Sequence, residues 1–150
     1  MIACVFTLGC KLNEVESASL AQGLKERGYD VIYYPAYADL YILNTCAVTK
    51  EAERKSRQAV TRLRRYNPAA KIIVCGCASQ HDPKAFAKND ALVYGTAHKG
   101  DILESLTKSG IVLGTEETFS PMPAPARAGT RAFLRVQDGC NRFCSYCLIP

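Results

Sequence analysis

Residues 1–28 read MIACVFTLGCKLNEVESASLAQGLKERG, and the fold is decided in this stretch. Ile2–Leu8 is an apolar run rich in β-formers, the composition of a strand buried on both faces, and it gives way to a loop at Gly9-Cys10. Asn13 then reads as a helix N-cap with Glu16 at the capping-box spacing. Val15, Leu20 and Leu24 supply an apolar stripe, and Gly28 falls where a C′ glycine ends a helix. The reading is strand, loop, helix.

Outward from there the same unit recurs. Asp39-Leu-Tyr-Ile-Leu-Asn44 is a second apolar run leading to Thr45-Cys46, and Thr49 opens a long helix that stops at Asn67-Pro68. Lys71–Cys75 is a third run, leading to Gly76-Cys77. Shorter runs at Val31–Tyr34, Ala91–Tyr94 and Ile111–Leu113 are expected to complete the sheet, with helices near Pro83–Lys88 and Lys99–Lys108 between them. Strands alternating with helices predict an α/β fold with an open parallel sheet flanked by helices. From Thr115 to Thr130 the chain reads TEETFSPMPAPARAGT, with alternating prolines, the composition of a semi-extended linker. A fresh strand is expected over Ala132–Val136, followed by QDGCNRFCSYCLIP. The expected organisation is therefore one domain over 1–113, a linker over 114–131, and the start of a second domain over 132–150.

Eight cysteines in 150 residues would suggest a disulfide scaffold in a secreted protein. No basic n-region or cleavage site opens this chain, and no eighteen-residue apolar run occurs. A cytoplasmic setting without a membrane partner is expected, and in reducing conditions the cysteines point to metal or cluster ligation. Cys140-x3-Cys144-x2-Cys147 packs three thiols into one tight loop after the expected strand, enough for three corners of a cubane cluster with one iron left open. A zinc loop completed by a ligand from elsewhere is the rival reading, since structural zinc takes four protein ligands. Cys10, Cys46 and Cys77 each lie at or just past the carboxyl end of an expected strand, the edge where binding residues converge in open α/β sheets. Together they favour a second three-thiolate cluster. Cys4 and Cys75 lie inside the runs and read as core, with Cys75 the rival of Cys77 as a ligand. His81 and His98 read as loop residues. Neither G-x-G-x-x-G nor Walker A occurs, against the commoner nucleotide-binding readings of an α/β chain.

The loop at 138–150 resembles the signature of the radical S-adenosylmethionine superfamily, placed after the first strand of a (β/α) barrel. That resemblance implies that Cys140, Cys144 and Cys147 hold a 4Fe–4S cluster whose open iron binds S-adenosylmethionine and cleaves it reductively to a radical. Tyr146 matches the position that packs near the adenine. TLGCKLN, LNTCAVT, AERKSRQ, GCASQ and DGCNRFCSYCLIP, in that order, resemble the methylthiotransferase family along essentially the whole chain. By that resemblance the first domain is Rossmann or flavodoxin-like, and Cys10, Cys46 and Cys77 ligate a second, auxiliary 4Fe–4S cluster. The 132–150 segment is then the first strand and cluster loop of a truncated barrel. The implied reaction converts C–H to C–SCH3, with an electron donor such as flavodoxin or ferredoxin. A non-catalytic metal- or RNA-binding module is the reading from another class.

Lys50–Tyr66 carries seven of the 19 basic residues, and its excess over Glu51 and Glu53 equals the whole chain's net +5. A solvated helix face explains such a pattern, and an RNA backbone explains it more sharply. The family's branches act on isopentenyl-adenosine in tRNA, threonylcarbamoyl-adenosine in tRNA, or a ribosomal-protein aspartate. Leu8-Gly9-Cys10-Lys11 is most similar to the threonylcarbamoyl-adenosine branch, which implies a tRNA anticodon stem-loop as partner.

Overall fold

The computed structural model describes residues 1–87, 90–106, 110–113, 121–124, 133, 135–137 and 139–149. The apolar runs become strands β1 (Ile2–Thr7), β2 (Asp30–Ile32), β3 (Leu40–Thr45), β4 (Lys71–Gly76), β5 (Leu92–Tyr94) and β6 (Ile111–Val112). They form one sheet in the order β2-β1-β3-β4-β5-β6, and every neighbouring pair is parallel. This is the expected open parallel sheet. The central strand β3 is buried along its whole length, because helices cover both faces.

Helix α1 (Lys11–Glu26) covers one face together with a short 3-10 turn (Gly100–Leu103); helices α2 (Lys50–Tyr66), α3 (Cys77–His81) and α4 (Pro83–Ala87) cover the other. The strand pleat sends alternate residues to the two sides. Ala3, Val5, Ile42 and Ile73 pack with Leu20, Leu24, Ile102 and Leu103, whereas Tyr41, Leu43, Ile72 and Val74 pack with Val60, Leu63 and Phe86. Thr49 caps α2 as expected: its Oγ1 accepts from the Ala52 N–H at 3.1 Å. Gly28 follows the Arg27 C-cap of α1 with φ of +81°, and its N–H donates to the Lys25 carbonyl.

Two expectations are corrected. The α1 N-cap is Cys10, not Asn13. Asn13 lies inside the helix, fully buried, and Glu16 is buried as well instead of reaching back to a cap. The capping-box pattern was met by residues whose side chains are drawn inward by tertiary partners. The helix expected from Lys99 is only the 3-10 turn among the described residues, because Lys99 turns its side chain inward and Ile102 and Leu103 bury against α1. Of the strand expected over 132–136, Ala132 and Leu134 lie outside the described residues, and Phe133, Arg135 and Val136 are not in a ladder. Much of the expected linker likewise lies outside the described residues. Its described part, Pro121–Ala124, runs against α1, with Met122 packed on the core.

Candidate metal centre at the carboxyl edge of the sheet

In this strand order the chain leaves β1 toward β2 and returns across it to β3, so the loops after β1 and β3 flank a topological switch point. Ligand crevices of doubly wound sheets open there, outside the carboxyl ends of the strands. Cys10 ends the loop after β1, Cys46 directly follows β3, and Cys77 directly follows β4. The structure thus brings the three cysteines of the first set to one edge, on three adjacent strands. Cys10 is exposed, Cys77 part-buried and Cys46 buried. Among the described residues no group of three or more His, Cys, Asp or Glu side chains is gathered to hold a metal ion.

Two glycines let these loops close on one another. A Cβ on Gly9 would lie 2.7 Å from the Cys46 Cβ and 3.1 Å from its Sγ, so the loop carrying Cys10 presses against Cys46. Gly76 has φ of +106° and ψ of −165°, a region open essentially to glycine alone, and a Cβ there would meet the Thr45 carbonyl oxygen at 2.4 Å. Gly76→Ala is expected to destabilise the chain by about 3 kcal/mol, read as a lower urea midpoint at unchanged m-value.

A buried polar network fixes the strand ends. Asn13 Nδ2 donates to the Leu8 and Thr45 carbonyls, both at 2.9 Å, and the Cys10 thiol donates to Asn13 Oδ1 at 3.6 Å. Ser56 Oγ on α2 accepts from the Cys46 N–H at 3.2 Å. Thr45 Oγ1 donates to the Cys75 carbonyl at 2.7 Å and accepts from the Ser79 N–H. The bonds to the Leu8, Thr45 and Cys75 carbonyls and from the Cys46 N–H satisfy backbone groups at or just past the strand ends.

Beneath this network sits a buried ion pair that sequence reasoning did not identify. Lys99, in the loop after β5, reaches Glu16 Oε2 at 2.5 Å, and both side chains are almost completely buried. Burial disfavours the Lys99 charge, but the adjoining Glu16 carboxylate outweighs it, so the ammonium is held above the usual lysine range. Burial also pushes the Cys77 thiol up, opposed by the Lys99 charge, while Cys46 and Cys10 stand close enough to add to the rise. The signal in the sequence was positional. Asn13, Glu16, Ser17, Leu20 and Leu24 recur at helical spacing on one buried face of α1, and a carboxylate on such a face requires a partner.

A profile of the family described as uncharacterized protein family UPF0004 matches residues 3–95, which contain all three of these cysteines. The chain belongs to this family. The UPF0004 chain is also 35% identical over 156 aligned residues to a threonylcarbamoyladenosine tRNA methylthiotransferase of Aquifex aeolicus, an alignment covering 96% of the chain and 38% of that protein. A protein of the same description from Chlamydia pneumoniae is 40% identical over 95% of the chain and 34% of its own length. A tRNA-2-methylthio-N(6)-dimethylallyladenosine synthase of Rhodopirellula baltica is 31% identical over 96% of the chain and 36% of its own length. The resemblance read from the motifs is borne out, and the chain spans a little over a third of the length of these relatives.

The UPF0004 match stops before the second cysteine set. Cys140 is part-buried, Cys144 and Cys147 are exposed, and the Cys147 N–H donates to the Cys144 carbonyl at 3.0 Å, a tight turn bringing the two together. Tyr146 is 91% exposed and Phe143 has φ of +49°. Cys4 and Cys75 contribute to the core with no exposed surface. Burial pushes the Cys4 thiol up to about 11 and the Cys75 thiol up to about 12. Alkylation of the folded chain with iodoacetamide at pH 8 is expected to modify Cys10, Cys144 and Cys147 first. Cys4, with a thiolate fraction lower by about a hundredfold for that shift, should remain unmodified until denaturant is added, as peptide mass mapping would read.

Proposed function

We propose that this chain is the N-terminal portion of a tRNA methylthiotransferase that installs a methylthio group on a hypermodified adenosine beside the anticodon. The observation that carries the reading is the placement of Cys10, Cys46 and Cys77 at one switch-point edge, in a chain matched over nearly all its length by relatives whose names specify tRNA methylthio transfer. In this reading 1–113 is the domain of the auxiliary cluster, 114–131 a linker, and 132–150 the start of the radical domain. Cys10, Cys46 and Cys77 hold one 4Fe–4S cluster, while Cys140, Cys144 and Cys147 hold the other.

The residues suit that task. Thiolates are the ligands iron–sulfur clusters take, and Gly9 and Gly76 let the loops that carry Cys10 and Cys77 pack closely against Cys46 and Thr45 at the end of β3. Lys99 offsets part of the negative charge that three ligating thiolates bring. Cys75 is fully buried on the α1 face, which favours Cys77 as the ligand. When bound, the clusters and S-adenosylmethionine supply the radical and sulfur chemistry, with an electron donor such as flavodoxin or ferredoxin; exposed Tyr146 is available to the adenine.

On α2, Arg64 is structural, donating to the Pro68 and Ala70 carbonyls, while Arg54, Lys55 and Arg57 pair with Glu51 and Glu53. The exposed Lys50, Arg62 and Arg65 join these in presenting a positive face suited to an RNA backbone. Threonylcarbamoyladenosine is the favoured substrate, by the names of the Aquifex and Chlamydia relatives; no helix among the described residues is long and apolar enough to cross a membrane, and a cytoplasmic setting is proposed. The test is to express the full-length protein in a host lacking its own tRNA methylthiotransferases and analyse tRNA nucleosides by mass spectrometry. Threonylcarbamoyladenosine that gains a methylthio group supports the reading; gain only on isopentenyl-adenosine moves the substrate, and no gain on either with active controls overturns it.

A further inference from the structure

The two carboxylate oxygens of Glu16 face different parts of the chain. Oε2 holds Lys99, whose ammonium lies within electrostatic range of Cys75 and Cys77, and accepts from Asn44 Nδ2 at 3.4 Å. Oε1 faces Arg135 Nη1 at 3.6 Å, on the segment that leads into Cys140. Around that second contact the described residues Phe133 and Arg135 lie along α1. Val15 and Ser19 of the helix, Met122 and Pro123 of the linker, and Phe133 and Arg135 enclose a groove of about 290 Å³. The Lys11 ammonium sits 5.7 Å from the centre of the Phe133 ring, and Lys11 directly follows Cys10. Arg135 also donates to the Met122 sulfur at 3.9 Å.

We propose that Glu16 is a positioning residue shared by the two cysteine sets, its buried carboxylate joining Lys99 behind the Cys77 loop to Arg135 on the approach to Cys140. A single α-helix carries Cys10 at its N-cap and Glu16 about 1.7 turns on, so Arg135, ahead of the second set, is registered against the helix that begins at the first. A carboxylate that is almost completely buried cannot swing to follow a moving partner, and it therefore acts as a fixed point. The inference rests on the proposed function only for what the two cysteine sets bind, and docking can be measured without any cluster.

The test is hydrogen–deuterium exchange of this chain carrying Arg135→Met, which keeps the apolar stem and removes the charge. Exchange over 133–137 is expected to rise about fivefold, the scale of one partly exposed ion pair, while exchange within α1 and the melting temperature stay at parent values. Adding Glu16→Gln should then raise exchange over 133–137 no further. Unchanged exchange over 133–137 in Arg135→Met would overturn the proposal, as would full additivity of the two substitutions. Should Glu16→Gln fail to fold, Arg135→Met alone decides. Iron bound after reconstitution, measured on the same variant, stays at the parent value whether or not docking is lost, so a failed cluster assignment and a failed docking assignment are read separately.

Discussion

Anaerobic reconstitution of this chain with iron and sulfide is expected to load about eight irons per chain, and Cys10→Ala, Cys46→Ala or Cys77→Ala to lower the count to about four. Each of these thiols comes from a different strand end, so no neighbour on the same loop can replace Cys10 or Cys46. Cys75 is close to Cys77 in sequence, but its side chain is sealed on the α1 face of the sheet with its thiol pushed up to about 12. Cys75→Ala is therefore expected to keep the full count. Cys140→Ala, Cys144→Ala and Cys147→Ala should each lower it to about four by losing the other cluster. A parent count near four that the first three variants leave unchanged would remove the auxiliary site and, with it, the chemical basis for sulfur transfer by this domain.

Lys99→Met should unfold most easily of the single substitutions away from the cysteines, losing about 3–5 kcal/mol by urea titration. The substitution fits the space, but it leaves the Glu16 carboxylate buried without the ammonium beside it. Arg135 stands at 3.6 Å from the other oxygen and is about a quarter exposed, too distant and too hydrated to substitute for a contact at 2.5 Å. A domain of this size has total stability on the order of 5–15 kcal/mol, so the variant retains at best a modest margin. Lys99→Met combined with Glu16→Leu should be less destabilised than the sum of the two single variants, because the second change removes the orphaned charge. Additive losses would mean that the two side chains contribute independently and that the pair is not coupled.

Strand and helix placement was legible because it follows from local chemistry. Continuous apolar runs ending in Gly-Cys or Thr-Cys mark parallel strands, Thr49 supplies a cap and Gly28 a stop, and each of these signals lies within a few residues of what it controls. The cysteines were legible for the same reason: a residue directly after a strand must lie at that strand's carboxyl edge. Asn13 and Glu16 were misassigned because a capping box is recognised by spacing alone, and that spacing cannot tell a side chain turned to the helix end from one turned into the core.

The sequence by itself determined that this is a parallel α/β chain, that three cysteines sit at the strand ends, and that it resembles the methylthiotransferases. Periodicity and local composition carry the fold and the strand ends, and the motifs TLGCKLN, LNTCAVT, AERKSRQ, GCASQ and DGCNRFCSYCLIP in their order carry the resemblance. Only the tertiary structure decided the order β2-β1-β3-β4-β5-β6, which puts Cys10 and Cys46 on either side of the switch point. It alone joined Glu16 to Lys99 and Arg135, partners remote in sequence. The physical reason is that burial makes a charge seek a counter-charge, whereas the identity of that partner depends on which distant segments the sheet brings together.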